Sequence, residues 1–264
     1  MFGIDALINQ FVFYPDRVLV ANPHMLALPF QDVWLETADD MRVHGWFLPC
    51  EDAVASVLFL HGNAGNISHR LDNLRLLVER ARCQVLIIDY RGYGRSDGLP
   101  DERGTYVDAT AAWTWLTTHT PGPHVIFGRS LGGAVAVQTA VTATPPPDGL
   151  IVENTFTRLL DIAADMVPFP AMLGLLPDIY PTLARMPQLT VPVMVIHSEQ
   201  DELIPVNHAH TLFAAAPEPK ELYVVAGGRH NDAYLVGGDD YWRRFSHFLH
   251  TLPPQTSDSE RPAS

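Results

Sequence analysis

A serine near the middle of the chain stands between two glycines, directly after a short apolar run. The run is His124 to Phe127, the segment Gly128-Arg129-Ser130-Leu131-Gly132 follows, and small residues continue from Gly133 to Ala136. This order of strand, G-x-S-x-G and helix is typical of a nucleophile elbow. Because the turn is too tight for side chains at its two glycines, the sequence predicts that Ser130 stands clear of the sheet as a nucleophile.

The same five residues have a simpler interpretation, because glycine and serine are common and the pattern occurs by chance. Ser130 would then be the N-cap of a helix that follows a glycine-rich turn. The apolar run before the motif and the small-residue helix after it are the context that an elbow requires, and they favour the elbow.

Length and charge limit the classes to which this chain can belong. With 264 residues, 47% of them hydrophobic, it is long enough for one sizeable core. The 30 acidic residues against 17 basic ones give a net charge of −13, which would repel phosphate backbones. We therefore expect no nucleic-acid partner.

Proline and apolar patterns divide the chain into segments. We expect an N-terminal extension at 1–30, one domain at 31–252 and a disordered tail at 253–264. A proline-rich stretch at about 155–190 has apolar residues but no strand pattern. Loops of that length are uncommon in compact domains unless they form lids, so we predict a small helical lid insertion here.

Neither the cysteines nor the histidines predict a metal or cofactor site. Cys50 and Cys83 are far apart, without a CxxC pattern. His208 and His210 are two residues apart in a predicted helix, where they would not share a face, and we interpret both as surface histidines. We expect no bound metal and no cofactor.

The N-terminus has neither a secretory nor a membrane-spanning pattern. It lacks a basic leader region, and no segment approaches the roughly 20 apolar residues of a span, so we expect a cytoplasmic protein. Apolar residues recur at helical spacing at Ile4, Leu7, Ile8, Phe11 and Val12. Such a short helix most often packs on its own domain; membrane-surface or dimer contact is the alternative, and the missing basic face disfavours anionic lipid. The oligomeric state is left open.

Strand and helix patterns alternate along most of the chain. Residues 32–37 and 42–48 alternate as a hairpin with one solvated face, whereas later runs are continuously apolar, as in strands covered on both faces. This predicts an α/β fold with a mostly parallel central sheet, an antiparallel N-terminal hairpin and helices on both faces. The continuously apolar runs are 56–60, 85–88, 124–127, 149–152, 191–196 and 221–225.

Three residue types suited to nucleophilic catalysis each follow a predicted strand. They are Ser130, Asp201 and His230, in that order along the chain. Because the carboxyl ends of parallel strands meet at one edge of a sheet, we expect the three side chains to meet there. His230 would take the serine proton and return it to the leaving group, while Asp201 would orient the imidazole.

A glycine-rich turn follows the first buried strand, at His61 to Asn66. Such a turn exposes backbone N–H groups, and its spacing is not that of a P-loop. We predict that the backbone N–H groups of Asn63 and Leu131 form an oxyanion hole.

The identity of the acid has an alternative. Asp201 could instead be a helix N-cap, with Glu153, which also follows a strand, as the acid. Asp232 is too close to His230 in sequence to be preferred.

These motifs together resemble α/β-hydrolase-fold serine hydrolases, in particular the branch of bud-emergence-related and depalmitoylating α/β-hydrolase-domain proteins. The resemblance implies a Ser-His-Asp triad and differs at Ser198, where the family usually has glycine. Many relatives carry an N-terminal membrane anchor or lipidated cysteines, which are not seen here. The matching segments are Phe13–Pro15, Val43–Pro49, His61–Asn66, Asp89–Gly94, Gly128–Gly132, Glu153–Phe156, Asp201–Pro205, Pro219–Lys220, and Gly228 with His230–Asp232.

We therefore expect a carboxylesterase-like enzyme that acts on a small-molecule ester through an acyl-enzyme on Ser130. A thioesterase or a peptidase would use the same triad, and the sequence does not separate them. A peripheral membrane lipid hydrolase and a catalytically idle interaction protein are the remaining alternatives.

Overall fold

An eight-stranded sheet forms the centre of the computed structural model, which describes residues 9–166 and 178–252. Its strands lie in the order β8-β7-β6-β5-β3-β4-β2-β1. β1 pairs antiparallel with β2, and β2 pairs antiparallel with β4; the other pairings are parallel. The predicted α/β class with a mostly parallel sheet is confirmed. The strands are β1 (Gln31–Glu36), β2 (Arg42–Leu48), β3 (Ala55–Leu60), β4 (Cys83–Ile88), β5 (His124–Arg129), β6 (Gly149–Glu153), β7 (Val193–Ser198) and β8 (Lys220–Val225).

The burial of the strands explains their sequence patterns. Every residue of β3 to β7 is buried, as the continuous apolar runs predict for strands covered on both faces. β1 alternates buried and exposed residues over its second half, but β2 is buried from Val43 to Leu48. The predicted solvated face is therefore wrong for β2, because Val43 and Phe47 pack in the core on one side of the sheet and Trp46 and Leu48 pack in the core on the other side.

Helices cover the sheet on both faces, and the sheet separates the core into two clusters. α2, α3 and α6 supply residues to one cluster, and α1 and α8 supply residues to the other. Short 3-10 turns occur at Pro23–Leu26, Ile67–Arg70 and Met186–Gln188. The α-helices are α1 (Leu71–Glu79), α2 (Glu102–His119), α3 (Leu131–Thr142), α4 (Leu159–Met166), α5 (Thr182–Arg185), α6 (Asn207–Ala215), α7 (Ala233–Val236) and α8 (Gly238–Thr251).

The described part of the N-terminal extension contacts its own domain. Residues 9–12 are helical, and Tyr14–Pro15 pairs in parallel with Ala64–Gly65. The first residues of the predicted amphipathic helix, Ile4 to Ile8, lie outside the described residues. Among the helices of the described ranges, none has the length and apolar character needed to cross a membrane. The cytoplasmic location stays a prediction.

The predicted lid is described only at its two ends. α4 begins it and α5 lies near its end, while residues 167–177 lie outside the described residues. The predicted tail at 253–264 also lies outside them. The segment boundaries stay predictions.

Phe127 gives a test of how far the core depends on packing at the centre of the sheet. Its ring stacks on Phe59 of the neighbouring strand with centroids 4.8 Å apart, and both side chains are fully buried. We expect Phe127→Ala to lower the free energy of unfolding by about 3–5 kcal/mol, because it opens a cavity that the strands cannot close. Guanidinium denaturation measures this change.

The matched control is Leu99→Ala, which removes a side chain that is 83% exposed. It should alter the free energy of unfolding by no more than about 0.5 kcal/mol. A loss below about 1 kcal/mol for Phe127→Ala would contradict the packing described here.

Candidate active site

Ser130 occupies a strained turn between β5 and α3. Its φ of 54° lies in the left-handed region, which costs a non-glycine residue about 1–3 kcal/mol. Three hydrogen bonds hold it there: its N–H donates to Glu153 O (2.8 Å), and its carbonyl accepts from Gly133 N (2.9 Å) and Thr155 Oγ1 (2.8 Å).

The two glycines of the motif are required by close packing. A Cβ atom at Gly132 would lie 2.0 Å from the carbonyl oxygen of Leu60, and one at Gly128 would lie 2.2 Å from that of Gly132. Both distances are far inside van der Waals contact. Only glycine at these positions lets α3 begin directly against the ends of β3 and β5, which leaves Ser130 at the carboxyl edge of the sheet.

The structure brings Ser130, His230 and Asp201 together at this edge. Ser130 Oγ lies 3.0 Å from His230 Nε2, and His230 Nδ1 lies 2.7 Å from Asp201 Oδ2. Asp201 follows β7 and His230 follows β8, which are adjacent parallel strands. The backbone N–H of Gln200 donates to Gly228 O (2.9 Å) and ties the two loops together.

Asp201 is a buried carboxylate that is held in its charged form. Burial raises its pKa, but hydrogen bonds from His230, Ile204 N and Leu203 N outweigh burial, and the pKa lies below its ordinary value. The two backbone groups donate to Oδ1 at 2.8 and 2.9 Å, which leaves Oδ2 for the imidazole. The alternative role as a helix N-cap is wrong, because α6 begins at Asn207 with Val206 as its N-cap, and the N–H groups that Asp201 accepts belong to its own loop.

Glu153, the alternative acid, pairs with side chains other than His230. One carboxylate oxygen accepts from Arg129 Nε and the other from the hydroxyl of Tyr241, and the side chain is fully buried. Among the described residues, His230 makes no hydrogen bond or ion pair with Glu153.

The loop that carries Asn63 is fixed by its neighbours. The carbonyl of Asn63 accepts from the Tyr93 hydroxyl (2.6 Å) and from Tyr14 N (3.0 Å), and its side-chain amide donates to Val12 O (2.9 Å). Within residues 9–166 and 178–252, the backbone N–H groups of Asn63 and Leu131 have no hydrogen-bond acceptor. The two N–H groups predicted as oxyanion donors thus have no protein acceptor in these ranges, and Asn63 and Leu131 both line the cavity at Ser130.

His61 precedes that loop and is a neutral, buried residue. Its burial and the nearby charge of Arg70 lower its pKa to about 3. Its Nδ1 lies 2.7 Å from the carbonyl of Gly62, so the imidazole holds the backbone immediately before Asn63.

Asn154 is a site residue to which sequence reasoning assigned no role. Its side-chain amide donates to the carbonyl of His230 (2.8 Å) and to Ser198 Oγ (3.1 Å), and its Oδ1 accepts from Ser198 N (2.7 Å). Its φ of 48° is one that asparagine tolerates better than most residues. The departure at Ser198 thus adds a hydroxyl to this network. The sequence signals were the position of Asn154 directly after a strand and its place in the matching segment Glu153–Phe156.

A cavity of about 730 Å³ opens beside Ser130 and His230. Part of its lining is apolar and part is polar, with two arginines. The apolar residues are Phe11, Val12, Phe156, Leu159, Ile162, Leu203 and Ile204, and the polar group comprises His69, Arg70, Asn73, Arg129, Asn231 and Tyr234. The arginine side of the cavity was not foreseen from the sequence.

The histidines near α6 differ from the sequence interpretation. His208 is buried, with its Nδ1 3.2 Å from Thr157 N, whereas His210 is exposed. The surface interpretation is wrong for His208, because α6 packs this face against the segment after β6. In the two described ranges, no three or more His, Cys, Asp or Glu side chains are grouped as a metal would need.

Comparison with known proteins gives matches over most of the chain. A family profile described as alpha/beta hydrolase fold matches residues 55–172. The alpha/beta hydrolase domain-containing protein WAV2 of Arabidopsis thaliana is 35% identical over 255 residues, covering 89% of this chain and 83% of WAV2. Protein bem46 of Schizosaccharomyces pombe is 29% identical over 243 residues, covering 88% of this chain and 81% of bem46.

A solved structure of the Pyrococcus furiosus esterase Pf2001 superposes on this fold with a TM-score of 0.76. The match covers 91% of this chain and 98% of that one, at 20% sequence identity, and shows a shared fold. The similarity to WAV2 extends beyond the fold to the sequence of nearly the whole chain. This protein therefore belongs to the α/β-hydrolase-fold family, as the motifs around Ser130 and Asn63 indicate.

Proposed function

We propose that this protein is a serine hydrolase that cleaves carboxylic esters through an acyl-enzyme on Ser130. The observation that carries the proposal is the continuous line of contacts from Ser130 Oγ through His230 to Asp201 at the wall of the cavity. The family membership and the esterase Pf2001 among the similar folds support a hydrolase of this class.

Acylation follows from proton accounting. Ser130 Oγ attacks the carbonyl carbon of the ester while His230 Nε2, 3.0 Å away, accepts the hydroxyl proton. The imidazolium that forms is stabilised by the carboxylate of Asp201 at Nδ1. His230 then gives the proton to the leaving alcohol as the carbon–oxygen bond breaks, and the acyl group remains on the serine.

The developing oxyanion needs donors that are free before the reaction starts. The N–H groups of Leu131 and Asn63 meet that need, and Leu131 also begins α3, whose N-terminus favours negative charge. Each such donor contributes about 3 kcal/mol of transition-state stabilisation in enzymes of this kind. A water molecule, activated by His230, completes the cycle by releasing the acyl group as an acid.

Substitution of the nucleophile tests the chemistry. We expect Ser130→Ala to lower the rate of hydrolysis of a short-chain chromogenic ester by at least about a thousandfold, because no attacking oxygen remains. The variant should also fail to react with a fluorophosphonate probe. The measurements are initial rates across esters, thioesters and aminoacyl amides, with circular dichroism to establish folding.

Ser246→Ala is the matched control, since Ser246 lies on α8 and is not among the residues that line the cavity. It should retain wild-type rates and probe labelling. Wild-type hydrolysis by Ser130→Ala, or the absence of any hydrolysis and labelling by the wild-type protein, would refute the proposed function.

Asn154 tests the positioning of the base. Asn154→Asp keeps the shape of the side chain but puts a carboxylate oxygen in place of the amide NH2 group. The hydrogen bond that this group donates to the carbonyl of His230 is lost. We expect kcat to fall by about 10- to 100-fold with little change in KM, because the His230 loop shifts while the apolar lining stays intact. Steady-state kinetics measure both parameters.

Asn207→Asp makes the same chemical change at an exposed position on α6 and should leave both parameters unchanged. An Asn154→Asp protein with wild-type kcat, or with a change in KM alone, would show that Asn154 does not position His230.

A further inference from the structure

The polar part of the cavity lining carries cationic side chains, whereas the chain as a whole has a net charge of −13. It contains two arginines, Arg70 and Arg129, together with Asn73 and Tyr234, and we call these four residues the arginine wall. None of the four has a role in the acylation steps described above.

The arginine wall is brought together by three separate parts of the fold. Arg70 ends a 3-10 turn that continues into α1, so Asn73, three residues later, lies on the same face. Arg129 is the last residue of β5 and directly precedes Ser130. Its guanidinium lies over the ring of Tyr234, which follows His230, with 5.0 Å between the guanidinium carbon and the ring centroid.

Several polar atoms of this wall are buried without a partner among the described residues. They are both amide atoms of Asn73, Nη2 of Arg129 and Nε of Arg70. Asn73 is 1% exposed and Arg129 is 5% exposed. Buried polar atoms in folded proteins are almost always hydrogen-bonded. Three of these four atoms are nitrogen donors on side chains that line the cavity, so the wall fits a ligand with acceptor atoms.

The charges of the wall leave one net positive group. Glu153 neutralises Arg129 through the buried ion pair. Arg70 donates from Nη2 to the carbonyl of Ala64 (2.5 Å) but forms no ion pair within the described ranges. Burial and the nearby charge of Arg129 lower its pKa to about 10, and the buried Asp89 has a smaller, opposite effect, so Arg70 is charged at neutral pH.

We propose that the arginine wall is a subsite for an anionic group, either a phosphate or a carboxylate, on the ester that Ser130 cleaves. Planar guanidinium groups bind such anions through paired, charge-assisted hydrogen bonds, and the amide of Asn73 and the hydroxyl of Tyr234 add neutral donors. The inference rests on the proposed function. It assigns a class of substrates with two parts. An apolar group would contact Phe156, Leu159 and Leu203, and an anionic group would lie within reach of Arg70.

The test compares pairs of esters of which one member carries an anionic group and the other does not. One pair is hexanoyl glycerol phosphate and hexanoyl glycerol, and a second pair is 3-(hexanoyloxy)propanoate and butyl hexanoate, so that the acyl group is the same and the anion lies on the alcohol in both pairs. We expect the wild-type protein to favour the anionic member of at least one pair by about tenfold or more in kcat/KM, and the preferred pair identifies phosphate or carboxylate. Arg70→Gln should reduce that ratio to near one, whatever its effect on the absolute rates.

Arg80→Gln is the matched control, because Arg80 is an exposed residue just after α1 that pairs with exposed Asp239. It should retain the wild-type ratio. If Arg70→Gln does not fold, Asn73→Asp, which adds a negative charge to the same wall, must lower the ratio. Equal rates for both members of both pairs in the wild-type protein, or a ratio that survives in either folded variant of the wall, would overturn the subsite.

A binding measurement separates failure of the subsite from failure of the esterase. Calorimetric titration with sodium phosphate should detect binding to the wild-type protein and to Arg80→Gln, and none to Arg70→Gln. If no ester is hydrolysed but phosphate binds in this pattern, the proposed function fails and the subsite stands. If esters are hydrolysed without charge preference and phosphate does not bind, only the subsite fails.

Discussion

The contact between β5 and α3 is the constraint on which the rest of this structure depends. Because Gly128 and Gly132 have no side chain, α3 begins in close contact with the backbone of β5 and of the neighbouring strand β3. A methyl group at either glycine would collide with a carbonyl oxygen. The strain at Ser130 is offset by backbone hydrogen bonds to β6 and α3, so Ser130 is held by the sheet rather than by a loop.

The two buried acids at the carboxyl edge show how environment assigns different roles to the same chemical group. Glu153 is enclosed by Arg129 and Tyr241 and joins β5, β6 and α8. Asp201 uses one oxygen to cap its own loop and presents the other to His230. Glu153 ends β6 and Asp201 follows the parallel strand β7, so only their surroundings distinguish a structural acid from one that contacts an imidazole. Asn154 connects the two systems, because it follows Glu153 in the chain and bonds to the His230 loop.

The loop that carries Asn63 depends on residues from distant parts of the chain. Asn63 is held by Val12 and Tyr14 of the N-terminal extension and by Tyr93 after β4. The extension is therefore part of the site, and Phe11 lines the cavity directly. The contacts also place apolar residues and the arginine wall around Ser130.

Much of the site could be predicted from the sequence, because the motifs obey local rules. Tight turns require glycine, buried parallel strands require continuous apolar runs, and residues that follow such strands gather at one edge of the sheet. These rules determined the fold class, the position of Ser130 and the expectation that Asp201 and His230 lie near it.

Tertiary structure alone decided how side chains that follow no local pattern are buried and paired. The burial of β2 on both faces follows from the core side chains packed on each side of the sheet, and the pairing of Glu153 follows from Tyr241, 88 residues away. The arginine wall likewise joins α1, β5 and the segment after His230, which share no local pattern. Local spacing specifies the conformation of a turn or a strand, whereas the charge and hydration of a side chain depend on what the whole fold packs against it.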